Sequence, residues 1–242
     1  MFEFLKKIMN NKKTISTNET NFVHRILNTD IKEEPKSQED SIVFGCGCFW
    51  GAEKCFWKLP GVVTTSVGYA GGEKENPTYY EVCSGNTGHA EVVKVVWNVN
   101  KIDISDLLKM FWECHDPTQK NKQGNDIGTQ YRSTIFYTNK SNRDIINLSK
   151  EAYQKELNAN NFGLIETEIK FIDTYYYAEE YHQQYLAIDG SRQYCSASPT
   201  RVKLGDFNGS NFKLPNEIWN NFNWEIDKCV LRSNNKPIKI TN

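Results

Sequence analysis

The chain has 242 residues, 38% hydrophobic and 13% aromatic, enough to bury the core of one large domain or two small ones. A formal net charge of −1, with both signs interspersed, excludes electrostatic capture of nucleic acid or of an anionic membrane. Seven sparsely placed cysteines, an odd number, exclude a disulfide scaffold, and no apolar run resembles a signal-peptide core or a spanning helix, so the expected setting is reducing and cytoplasmic.

Residues 1–40 mix Lys, Asn, Thr, Glu and Ser around isolated apolar positions, the composition of a poorly ordered leader or loose wrap. Phe4, Leu5 and Ile8 with Lys6 and Lys7 would suit an amphipathic organelle-targeting turn, whereas Glu3 and the later acids argue against one. Residues 41–190 read as the catalytic α+β domain. An apolar strand at 42–44 runs into Gly45-Cys46-Gly47-Cys48-Phe49-Trp50-Gly51, and a helix-compatible segment follows at 52–59. Residues 62–69 alternate, with Val63, Thr65, Val67 and Tyr69 on one face, and end in the turn Ala70-Gly71-Gly72. Loops at 76–80 and 84–88 precede a strand at 89–99, whose period of two puts Glu91 on the face of Val93, Val95, Trp97 and Val99.

Residues 104–114 form an amphipathic helix with Ser105 or Asp106 as N-cap and Leu107, Leu108, Phe111 and Trp112 buried; Asp116-Pro117 stops it. A polar loop at 118–129 leads to a strand at 131–137. Ser141-Asn142-Arg143-Asp144 matches a capping box for a helix to about 160, with stripes Ile145, Leu148, Ala152 and Ile146, Tyr153, Leu157. Ile165, Thr167, Ile169 and Phe171 alternate as a half-exposed strand, and 178–188 suggests a short helix. Residues 191–242 turn to Gly, Ser, Pro and Asn, a mobile and largely irregular C-terminal arm carrying Cys195, the aromatics Trp219, Phe222 and Trp224, and Cys229. The order β-α-β-β-α-β-α-β fits an α+β layer with a mixed sheet and helices packed on it.

Most free cysteines are small buried residues, but packing gives no reason to flank one with glycines. Cys48, at a strand-to-helix junction, meets helix N–H groups that favour a thiolate, and Phe49 and Trp50 offer an apolar wall: the pattern of a nucleophile for a partly apolar substrate. Glu91, if enclosed beside Val93 and Trp97, is a carboxyl kept neutral by desolvation and so a general acid. Tyr79 and Tyr131 are phenols able to hold an oxygen bearing negative charge, and Asp126 can orient a donor or water. Two other chemistries remain open from residues alone: a cysteine hydrolase with His89, His115 or His182 as base, and a zinc module built on Cys46, Cys48 and Cys55. Cys55, Cys83 and Cys114 read as packing residues; Cys46 reads as a strand-ending small residue, with a redox role as the alternative.

The blocks Gly47-Cys48-Phe49-Trp50-Gly51, Val67-Gly68-Tyr69-Ala70-Gly71-Gly72, Asn76-Pro77-Thr78-Tyr79, Thr87-Gly88-His89-Ala90-Glu91, His115-Asp116-Pro117-Thr118, Gly124-Asn125-Asp126-Ile127-Gly128 and Tyr181-His182-Gln183-Gln184-Tyr185 resemble, in order and spacing, the A-type peptide methionine sulfoxide reductases. The resemblance covers about residues 41–195. It implies a ferredoxin-like α+β core, no metal or organic cofactor, and reduction of the S epimer of methionine sulfoxide, free or in proteins. It further implies Cys48 as attacking thiol, Glu91 as acid, Tyr79 and Tyr131 on the sulfoxide oxygen, Asp126 in support, and Phe49 and Trp50 around the methyl. Cys195 would resolve a Cys48 sulfenic acid as a disulfide for thioredoxin or another dithiol to reduce. Oxidised proteins, free methionine sulfoxide and thioredoxin are then the expected partners of a monomer. The arm departs from the family in lacking a glycine-rich ending, and Cys229, far downstream, is a candidate recycling cysteine.

Overall fold

The computed structural model describes residues 22–226 and 229–240; the side chain of Cys229 lies outside the described part. The central sheet is built by β1 (Glu39–Cys46), β2 (Val62–Ala70), β3 (Ala90–Asn98) and β6 (Ser133–Tyr137), in the antiparallel spatial order β6-β1-β3-β2. The short hairpin β4 (Lys122–Gln123) and β5 (Asp126–Ile127) stands apart, β7 (Glu168–Phe171) extends the sheet parallel to β6, and β8 (Tyr176–Tyr177) closes the other edge against β2. With α1 (Phe49–Trp57) between β1 and β2 and α3 (Ile104–Glu113) between β3 and β6, the core has the ferredoxin-like order expected. Two further helices are α2 (Tyr79–Cys83) and α4 (Arg143–Ala159), and α5 (Asn216–Trp219) and α6 (Cys229–Arg232) are single turns in the arm.

Alternation along the strands sorts residues between two cores. Ile42, Phe44, Val93, Val95 and Trp97 face the helices, while Val43, Val92, Ala90 and Phe136 form a smaller cluster on the other side. Phe44 stacks between Phe56 of α1 and Phe111 of α3, with ring centroids 4.9 and 5.1 Å away, which fixes both helices on the sheet. Every residue of α1 is buried, charged ones included, and each charge has a partner. Glu53 accepts from Thr65 Oγ1 (3.0 Å) and the Gln184 backbone N–H (2.8 Å), and Lys54 Nζ donates to the Ser233 carbonyl (2.8 Å).

Several expectations need correction. Val63 is the extra residue of a bulge, since Val62 pairs with Trp97 and Thr64 with Val96, so the face of Thr65, Val67 and Tyr69 does not extend to it. The N-cap of α3 is Asp103, whose carboxylate takes the Ser105 N–H (2.9 Å) while Asp106 takes the Asp103 N–H (3.1 Å). At the start of α4, Ser141 donates to Asn139 Oδ1 from N (3.1 Å) and Oγ (2.8 Å) instead of capping, and the buried stripe is Ile146, Ser149, Tyr153 and Leu157. Residues 178–188 make two 3-10 turns, Glu180–His182 and Tyr185–Ala187, because Gln184 between them is left-handed (φ 47°) and bound to Glu53.

The described part of the leader is anchored at two points: His24 is fully buried with its Nε2 bonded to Thr65 Oγ1 (2.9 Å), and Ile31 is buried as well. Residues 1–21, with the targeting question, lie outside the described residues. The arm is likewise fastened rather than free. Buried carboxylates of α3 take its backbone N–H groups, Asp106 from Lys213 and Leu214 and Glu113 from Leu204 (3.0, 3.2 and 2.9 Å). Phe222 stacks on Trp224 (5.7 Å), both buried, and Trp57 Nε1 of α1 and Nζ of its C-cap Lys58 hold the carbonyls of Asn235 and Asn234.

Candidate active site

The site begins where β1 ends. Gly47 carries the chain round in a left-handed conformation (φ 87°), leaving Cys48 as the N-cap of α1. Its sulfur makes no capping hydrogen bond, although the Trp50 backbone N–H in the first turn favours the thiolate. The expected thiolate does not follow: burial first, then the facing Glu91, push the Cys48 thiol well up, overriding the helix N–H groups. Glu91, opposite Tyr69 in the β2/β3 ladder, is 2% exposed and takes the Phe49 N–H on Oε2 (3.1 Å). Burial raises its carboxyl to about 8, despite that hydrogen bond and with a smaller push from Asp126. Near neutral pH, both groups at the centre therefore keep their protons.

Tyr79 and Tyr131 lie in the same electrostatic neighbourhood as Glu91 and each other, and both phenols are raised, chiefly by burial and next by Glu91, so they remain donors. Phe49 and Trp50 join an aromatic cluster. Trp50 stacks on Tyr185 (3.9 Å), and the His182 ring lies 5.2 Å from Phe49 and 4.4 Å from Tyr79. Trp50 Nε1 donates to His182 Nδ1 (3.1 Å), which leaves the proton of this neutral imidazole on Nε2. Asp126 is also close to Cys48, but its visible bond is to the arm: Tyr194 donates to its Oδ1 (2.6 Å), and Oδ2 has no partner. Cys195 follows Tyr194, is buried and reduced, and packs so tightly on Gly51 that a Cβ there would stand 2.5 Å from its sulfur. The glycines flanking the Cys48 motif thus serve a turn and a close approach.

Sequence reasoning missed Glu179 and Tyr194. Glu179 takes the Tyr79 N–H and the Tyr69 hydroxyl (both 2.9 Å), and neither contact has a local signature. Tyr194 was signalled only by its place beside Cys195. None of the three candidate hydrolase bases serves Cys48. His89 bonds Gly72 N (3.1 Å) and the Lys74 carbonyl (2.8 Å), His115 bonds the Phe111 carbonyl (2.8 Å) and Ser133 Oγ (2.7 Å), and His182 is occupied by Trp50. The zinc grouping also separates, for Cys48 faces Glu91, whereas Cys46 and Cys55 meet Cys114 behind the helix.

A protonated carboxyl, a buried thiol and two phenols beside an aromatic cluster, with a second thiol packed beside the same helix, define a thiol-based oxidoreductase on a ferredoxin-like α+β core. The family profile described as peptide methionine sulfoxide reductase matches residues 40–212. A peptide methionine sulfoxide reductase MsrA of Vibrio cholerae is 49% identical over 188 residues, 78% of this chain and 87% of that protein. A mitochondrial peptide methionine sulfoxide reductase of Bos taurus is 57% identical over 160 residues, 66% and 68% of the two chains. The solved methionine sulfoxide reductase A of Corynebacterium diphtheriae superposes with a TM-score of 0.65 at 42% identity, over 76% of this chain and 88% of that one. The chain belongs to the peptide methionine sulfoxide reductase family.

Proposed function

We propose that this protein reduces methionine S-sulfoxide, free or within proteins, with Cys48 as nucleophile, Glu91 as proton donor and Cys195 as resolving thiol. Family membership supports thiol-dependent methionine sulfoxide reduction; the residue roles rest on the geometry. The observation that carries them is Glu91, raised to about 8 by burial and fixed by the Phe49 N–H beside a thiol that is itself protonated. Two neutral groups bind a neutral dipolar S=O without charging a dry site. Tyr79 and Tyr131 donate to the sulfoxide oxygen, and Phe49 and Trp50 enclose the methyl. Cys48 sulfur attacks the sulfoxide sulfur as Glu91 protonates its oxygen and recovers the proton Cys48 releases; the substrate S–O bond breaks and the hydroxyl passes to the Cys48 sulfur. Methionine leaves and Cys48 becomes a sulfenic acid. Cys195 then displaces water to give the Cys48–Cys195 disulfide, which a dithiol such as thioredoxin opens by exchange.

No metal or organic cofactor has a part in this chemistry. The sparse, odd-numbered cysteines suit a reducing, cytoplasmic setting, and in this reading the protein acts there as a monomer. The recycling role for Cys229 concerns a side chain outside the described part, and a Cys229→Ser variant with unaltered thioredoxin-dependent cycling would remove it. The reading as a whole is tested by reduction of an S-sulfoxide peptide with dithiothreitol. Wild type should consume one dithiol per sulfoxide, and activity undiminished in Cys48→Ser would overturn it.

A further inference from the structure

Behind the active site lies a feature that the reaction above does not use. Cys46, Cys55 and Cys114 line one small cavity at α1, and the reactive atoms of Cys46, Cys114 and His115 lie within 4.8 Å of one another. All three cysteines are buried and reduced. They share a small cavity of about 20 Å³ with Gly51, Cys195 and Trp224, so the resolving thiol opens onto the cluster from its own side.

The helix explains the placement. Gly51 lies three residues after Cys48 and four before Cys55, one turn in each direction on the same face. Cys195, seated on Gly51, therefore stands between the nucleophile and the cluster. It lies within electrostatic reach of Cys48 on one side and of Cys46 and Cys114 on the other, whereas the groups within reach of Cys55 are Cys114, Lys54 and Lys58. A soft metal fits less well. His115 spends Nδ1 on the Phe111 carbonyl (2.8 Å) and Nε2 on Ser133 Oγ (2.7 Å), leaving no lone pair for an ion.

We propose that Cys46 and Cys114 form a second, internal dithiol that takes over the oxidation held by the Cys48–Cys195 disulfide. The inference rests on the reading above. Cys46 sulfur attacks Cys195 sulfur, forming Cys46–Cys195 and releasing Cys48, which receives the proton of the attacking thiol. Cys114 then attacks Cys46, forming Cys46–Cys114 and releasing protonated Cys195. Two thiols are oxidised to one disulfide, the Cys48–Cys195 disulfide is reduced to two thiols, and no outside reductant is needed. Burial raises both Cys46 and Cys114 and so keeps the attacking thiolate scarce, which makes the exchange slow per encounter and dependent on fixed proximity. The result is an enzyme charged for two turnovers before it meets its reductant.

The test is the number of methionines formed per fully reduced enzyme when excess S-sulfoxide peptide is added without reductant, followed by disulfide mapping. Wild type, Cys55→Ser and Cys229→Ser should form about two and yield a peptide pair linking Cys46 to Cys114; Cys46→Ser and Cys114→Ser should form about one. A wild-type yield of one, or a yield of two that survives Cys46→Ser but falls in Cys229→Ser, overturns the internal dithiol while leaving the reductase reading intact. A yield of none overturns that reading itself. Where Cys114→Ser fails to fold, the mapping of wild type decides: Cys46 and Cys114 both alkylated after the burst contradicts the proposal.

Discussion

Cys48 and Cys46 leave the same strand end two residues apart and face opposite environments. Cys48 looks out past the first turn of α1 at Glu91, Tyr131 and Asp126; Cys46 looks back under the helix at Cys114 and Cys55. Both thiols are raised by burial, so depth alone does not separate a nucleophile from a bystander. The partners do: one thiol faces a carboxyl that can pass a proton, the other faces more sulfur and an imidazole, His115, whose two nitrogens are engaged by Phe111 and Ser133. In the proposed cycle, oxygen transfer and the Cys48–Cys195 disulfide belong to the first environment, and the hand-over of that disulfide to the second.

Substitutions that exchange or blunt the two environments sharpen the contrast. The largest effect is expected for Cys48→Ser, which should lower sulfoxide reduction by at least about 10³-fold, while Cys46→Ser should leave the first turnover unchanged, both read by methionine release. Glu91→Gln keeps the shape but removes the transferable proton and should cost about 10²- to 10³-fold in the same assay. Gly51→Ala puts a methyl where Cys195 packs; it should slow closure of the Cys48–Cys195 disulfide by about tenfold or more, seen by quenching and thiol counting, with methionine release in the first turnover less affected. Smallest for the chemistry is Asp106→Ala, far from both thiols. It strands the N–H groups of Asp103, Lys213 and Leu214 and should lower unfolding stability by about 2–4 kcal/mol in a denaturant titration.

The front of this contrast was legible in the sequence and the back was not. The period of β3 placed Glu91 on the apolar face, and the glycines marked Cys48, because both signals are local. The fold followed from the order of its elements and the resemblance. The cluster of Cys46, Cys55 and Cys114 joins a strand end, a helix middle and a helix C-cap, so no spacing announces it. The arm was misjudged for a related reason. Its composition is that of a mobile tail, but its backbone is held by Asp106 and Glu113, whose roles show only when α3 lies beside it. The cap of α3 was placed too late, at Ser105 or Asp106, because all three polar residues suit a cap; Asp103 takes the position and Asp106 reaches back to its N–H.

The central claim is that Glu91 and Cys48 react as a protonated pair, and the pH dependence of methionine formation in a single turnover tests it most directly. Glu91 titrates at about 8, above the usual carboxyl range, and its proton is present below that pH and lost above it. Cys48, pushed well up, keeps its own proton through that window. The rate should therefore be level through neutral pH and fall as pH rises through about 8, and Glu91→Gln should be slow with no fall in that range. A rate that climbs through pH 8 in wild type, or a fall at about 8 that persists in Glu91→Gln, would contradict the account.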